Sequence, residues 1–130
     1  MEIEALVSRA ILTVEPTDSM HDAAVWMMER GVGSAVVVAQ GKPTGIVTDR
    51  DALRVIARGV DPATTTVSDC IMKGLKTVPP TLDVHEAARV MREKGFRHLV
   101  VVDDTDRLVG VFSMRDLVVG LLQEQRTARQ

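Results

Sequence analysis

Aromatic residues are nearly absent from this chain of 130 residues, which has two Phe, one Trp and no Tyr. The interior is therefore expected to be built from Val, Leu, Ile, Ala and Met. A single cysteine, Cys70, rules out an internal disulfide and fits a reducing compartment. No apolar stretch approaches the roughly 20 residues of a membrane-spanning helix. Met1-Glu2-Ile3-Glu4 has neither the basic start nor the apolar run of a secretion signal. The expected location is the cytoplasm, with no membrane partner. Basic residues form no block: 16 Lys and Arg stand against 18 Asp and Glu, spread along the chain, for a net charge of −2. Nucleic acid is therefore not an expected partner. A P-loop, a dinucleotide fingerprint and a believable catalytic triad are also missing, so no enzymatic activity is expected. The three His and one Cys lack metal-ligand spacing, so no metal site is expected either.

What the chain does have is an ordinary globular balance, 45% hydrophobic and 26% charged, and an internal repeat. A shift of 64 residues places Thr13 on Thr77, Pro16 on Pro80, His21 on His85, Ala23-Ala24 on Ala87-Ala88, Met27 on Met91, Gly31 on Gly95 and Val36-Val37-Val38 on Val100-Val101-Val102. Between residues 13 and 38, 13 of 26 positions are identical. After one extra residue in a loop the match resumes at a shift of 65, with Gly45 on Gly110, Arg50 on Arg115 and Asp51 on Asp116. Two copies point to a pseudo-symmetric pair rather than a solenoid.

Both copies predict β-α-β-β-α. A short extended piece (Leu12 to Val14; Lys76 to Val78) leads to a proline and then a helix. Its apolar stripe is Met20, Ala23, Ala24, Met27 in one copy and Val84, Ala87, Ala88, Met91 in the other. Gly31 and Gly95 stand where a C-terminal cap belongs. A β-branched strand follows, Ala35 to Ala39 or Leu99 to Val102, and its unbroken apolar run implies burial on both faces. Turns are expected at Gln40-Gly41-Lys42-Pro43 and at Asp103 to Asp106. A second strand, Gly45 to Val47 or Leu108 to Phe112, then runs into a second helix near Asp49 or Arg115. The expected division is repeat one over 5–60, a linker over 61–66, repeat two over 67–124 and a polar tail over 125–130. One copy alone cannot cover both faces of its small sheet, so the two are expected to pack sheet to sheet as one α/β unit (α+β in some schemes) with clefts between them.

Gly45-Ile46-Val47-Thr48-Asp49-Arg50-Asp51 and Gly110-Val111-Phe112-Ser113-Met114-Arg115-Asp116 resemble the end-of-strand motif of CBS domains: Gly, apolar, any, Thr or Ser, two residues, Asp. Val67-Ser68-Asp69-Cys70-Ile71-Met72 is similar to the segment that leads into such a domain, whereas Val7-Ser8-Arg9-Ala10 lacks its Asp and Met. The resemblance spans roughly residues 5 to 122. It implies a stand-alone pair of CBS repeats, a Bateman module, that senses AMP, ADP, ATP or S-adenosylmethionine and needs no resident cofactor. Carried over residue by residue, Asp51 and Asp116 bind the ribose diol, and Thr48 and Ser113 bind phosphate with Arg50 and Arg115 nearby. The adenine is expected near Thr13, Val14, Gly33, Ser34, Thr77, Val78, Arg97 and His98. The family habit also implies a homodimer, and an effector protein whose identity the sequence does not give.

The chemistry of the residues agrees. A carboxylate accepts hydrogen bonds from a cis-diol, and charge-assisted bonds are the stronger kind. A hydroxyl before a helix lies beside free N–H groups and a positive helix end. The blander reading stays open, because Thr48-x-x-Asp51 and Ser113-x-x-Asp116 also fit a capping box, and cap and ligand contact can coexist. His21 and His85 read as surface residues, and the Met residues as core filling. Trp26, off its helix stripe, and the all-round apolar Leu117-Val118-Val119 and Leu121-Leu122 fit either a repeat-to-repeat core or a dimer interface. The competing function is a homodimeric interaction module with unliganded clefts.

Overall fold

The computed structural model describes residues 1–71 and 74–128. Met72 of the leading segment and residues 129–130 of the tail lie outside them. Helices and strands alternate as the repeat predicts: β1 (Thr13–Val14), α1 (Met20–Arg30), β2 (Ser34–Ala39), β3 (Lys42–Thr48), α2 (Asp49–Ala57), α3 (Val67–Cys70), β4 (Thr77–Val78), α4 (Val84–Lys94), β5 (His98–Val102), β6 (Leu108–Ser113) and α5 (Met114–Ala128). A 3-10 turn over Ile3–Ala5 precedes them.

Local chemistry explains the boundaries. The hydroxyl of Ser19 accepts the Asp22 N–H to start α1, and the Asp83 carboxylate accepts the His85 N–H to start α4. Gly31 (φ 64°) and Gly95 (φ 71°) end the two helices in the left-handed region, where a side chain is costly. The first hairpin turn is tighter than the sequence predicts. Gln40 and Gly41, both at positive φ, make it alone. Lys42 and Pro43 join β3, with Pro43 opposite Val38 where the ladder register shifts, a place that tolerates a missing N–H. α5 runs on into the expected polar tail as far as Ala128. Gln, Glu, Arg and Ala are good helix formers, and Glu124 is paired with His85 of α4.

Each sheet has three strands, ordered β1-β2-β3 and β4-β5-β6, with a parallel pair followed by an antiparallel pair. The chain forms two compact units. One is Ile11–Leu75; the other joins Met1–Ala10 to Lys76–Gln130. These packing units are not the sequence repeats, because the first ten residues belong with the second half and the segment leading into repeat two belongs with the first. In the first unit Val14, Met20, Ala23, Met27, Val37, Val47, Val55, Val67 and Cys70 form the core, with Trp26 packed against it. In the second, Ile3, Val84, Ala87, Met91, Leu99, Val101, Phe112 and Leu117 do so. Burying one of the larger of these side chains, Val, Leu, Ile, Met or Phe, contributes roughly 1.5–3 kcal/mol.

Candidate functional site

The motif residues gather where an antiparallel hairpin hands over to a helix. At the end of β3, Thr48 lies opposite Ser34, the first residue of β2. At the end of β6, Ser113 lies opposite His98, the first residue of β5. The residues before these strands also reach the junction, since the Asp49 N–H donates to the Gly33 carbonyl (3.0 Å) and the Met114 N–H to that of Arg97 (2.9 Å). The antiparallel register thus brings Gly33, Ser34, Thr48, Arg50 and Asp51 to one junction, and Arg97, His98, Ser113, Arg115 and Asp116 to the other.

Thr48 and Asp51 close a capping box at the start of α2. The N–H and hydroxyl of Thr48 both donate to Oδ2 of Asp51, at 2.8 and 3.2 Å. At the start of α5 the N–H and hydroxyl of Ser113 donate to Oδ2 of Asp116, at 2.8 and 2.9 Å, while the Asp116 N–H donates back to Oγ of Ser113 at 3.2 Å. Both pairs therefore act as caps, and any ligand role is in addition to this one. Each hydroxyl already spends its proton on the aspartate. Arg50 and Arg115, each one residue before the capping aspartate, are exposed.

The remaining expected residues are placed less favourably. Thr13 and Thr77 are exposed on β1 and β4, but Val14 and Val78 point into the cores at 4% and 5% exposure. An open depression of ≈ 670 Å³ on the first unit borders Thr13, Val14, Trp26 and Gln40, at the end of the sheet opposite Thr48. His21 and His85 are exposed, as the sequence predicts. The buried thiol of Cys70 is pushed up from its ordinary pKa by burial, and further by the nearby Asp51 and Asp69. It is held in the unreactive protonated form.

Sequence reasoning missed Arg54. Its Nη1 donates to Oδ1 of Asp51 at 2.8 Å, forming an ion pair within the first turns of α2. The signal was available, since residues three apart on a helix share a face.

The family model of the CBS domain matches residues 3–58 and 67–122. The chain belongs to the CBS domain family. It is 32% identical over 120 residues to an uncharacterised protein of Methanopyrus kandleri, an alignment covering 91% of this chain and 61% of that one. It is also 32% identical over 124 residues to the CBS domain-containing protein YhcV of Bacillus subtilis, covering 95% and 87%. Among solved structures it superposes on a CBS domain protein from Pyrobaculum aerophilum complexed with AMP, with a TM-score of 0.83, 30% identity, and coverage of 95% of this chain and 99% of that one. The expected α/β architecture of paired CBS repeats is therefore established. No helix among the described residues is long and apolar enough to cross a membrane.

Proposed function

We propose that this protein is a non-catalytic regulatory module that binds an adenine nucleotide or another adenosyl ligand at its strand-to-helix junctions. Aspartate meets the ribose diol. Arg50 or Arg115, with the adjoining first-turn N–H groups, meets the phosphate, beside Thr48 or Ser113. The observation that carries the reading is the recurrence, in both repeats, of a carboxylate fixed at a helix start next to an exposed arginine, in a chain similar to a protein complexed with AMP. Binding is expected to act by favouring one arrangement of the protein over another, since a ligand shifts an equilibrium only through differential affinity. The output passes to an effector protein, and the working compartment is the cytoplasm.

A thermal-shift panel of AMP, ADP, ATP and S-adenosylmethionine tests this reading. At a hundredfold excess over Kd, stabilisation of about 2.7 kcal/mol is expected for a single site. A flat response to all four ligands would discard it.

A second reading draws on exposed apolar residues. Leu53 and Ile56 of α2 are 67% and 65% exposed, and Val118 and Leu122 of α5 are 51% and 55% exposed. Such residues favour self-association, and the reading is a homodimeric interaction module whose junctions serve only as caps. A stable dimer in light scattering with no thermal response would favour it.

A further inference from the structure

The two junctions match in sequence but differ in chemistry. A carboxylate offers about four lone-pair positions, two on each oxygen. In the first repeat three are taken, two on Oδ2 of Asp51 by Thr48 and one on Oδ1 by Arg54. The shift of 65 that sets Asp116 on Asp51 sets Val119 on Arg54. No guanidinium stands at that place in α5. Oδ2 of Asp116 is held by Ser113 as in the first repeat, but Oδ1 meets no donor among the described residues. Burial differs in the same sense, with Asp51 only 6% exposed and Asp116 half-buried.

We infer that the chain takes one adenosyl ligand, through the carboxylate of Asp116, and that Arg54 closes the first junction by occupying Asp51. This rests on the adenosyl reading above and decides which repeat carries it out. A cis-diol brings two O–H donors. Oδ1 of Asp116 accepts both without giving anything up. Asp51 has one position left, and freeing another means pulling Arg54 from a buried carboxylate and leaving that charge unpaired, which is costly. Arg54 is thus a selectivity residue of the first repeat, and Val119 is its permissive counterpart in the second.

Isothermal titration of the full chain with AMP tests this. The wild type is expected to bind one AMP per chain. Val119→Arg, at a position 42% exposed where the fold is not at stake, supplies Asp116 with the partner Asp51 has. It is expected to weaken binding by about tenfold or more, the scale of one charge-assisted hydrogen bond. Arg54→Val is expected to keep the original affinity within about twofold and to raise the stoichiometry toward two. Two equal sites in the wild type, unchanged affinity in Val119→Arg, or loss of binding in an Arg54→Val chain that still melts cooperatively would each overturn the inference. A stoichiometry still at one in Arg54→Val removes Arg54 from the account. If the wild type gives neither heat nor a thermal shift with AMP, ADP, ATP or S-adenosylmethionine, the adenosyl reading itself fails, and this inference falls with it.

Discussion

Gly45 and Gly110 open the two signature segments, and each is small because another part of its unit crosses it. A Cβ on Gly110 would sit 2.4 Å from the carbonyl oxygen of Ser8 and 2.2 Å from Cγ1 of Val7. That backbone cannot yield cheaply, because Ser8 and Val111 exchange N–H···O bonds of 3.1 Å in both directions. A Cβ on Gly45 would meet the tip of Ile71 at 2.8 Å, which a rotamer change relieves. Gly110→Ala is therefore expected to cost about 1–3 kcal/mol, as overpacking does, and Gly45→Ala less. Chemical denaturation of the two variants checks the order, and equal losses would contradict it. The sequence marks both positions as glycine through the motif, but not which of them is backbone-crossed. The crossing residues lie about a hundred positions from Gly110 and about 26 from Gly45. Arg54 was harder to see for a different reason: three residues from an aspartate on a helix, an arginine reads as an ordinary surface pair until the burial of Asp51 is known.

Among elements, helices and strands were the most legible, because the repeat doubles each signal and the apolar stripes of α1 and α4 keep helical spacing. Boundaries followed local chemistry that pattern alone does not settle. Pro43 looks like a turn residue until its strand partner is seen, and the polar residues from 125 look like a tail until α5 is seen to reach Ala128. The β5–β6 connection offers a test at this scale. Asp103 Oδ1 accepts the Thr105 hydroxyl (2.7 Å) and the N–H groups of Thr105 (2.9 Å) and Arg107 (3.0 Å). The Thr105 hydroxyl first, then those N–H groups, hold its carboxyl below the ordinary aspartate pKa of about 4. A carboxyl lowered by folding contributes stability that is complete above the unfolded pKa and is lost as pH falls through the folded one. Thermal melts from pH 6 down to about pH 3 should therefore show the wild type losing its advantage over Asp103→Asn only on the acid side of about pH 4. A difference independent of pH would show that the loop is held by other means.

At the scale of the molecule, the duplication and the α/β architecture were readable from the chain, but the partition of packing was not. The repeats divide near residues 61–66, whereas the compact units divide after Ala10 and after Leu75. Internal similarity reports which segments share an origin, and only burial reports where a segment is seated. Ile3 makes the difference measurable. It is fully buried against the core that includes Val84, Phe112 and Leu117. Ile3→Ala should cost about 2–5 kcal/mol, as truncation of a buried isoleucine does. Native-state hydrogen exchange should place the lost protection in β5, β6 and α4, leaving β2 and β3 as before. Loss spread evenly over both sheets would argue against the partition.

The same seating of Met1–Ala10 sets a timetable for synthesis. Chains emerge from the ribosome amino end first, and units tend to fold in that order. Here the unit over Ile11–Leu75 has all its parts once residue 75 is out. The apolar Ile3, Leu6 and Val7, made ahead of that unit, must wait until Leu117 and Leu121 have been added before their own core exists. Residues translated before the Ile11–Leu75 unit are thus sheltered from water only after it, and a nascent chain halted before α5 would present them to any chaperone within reach.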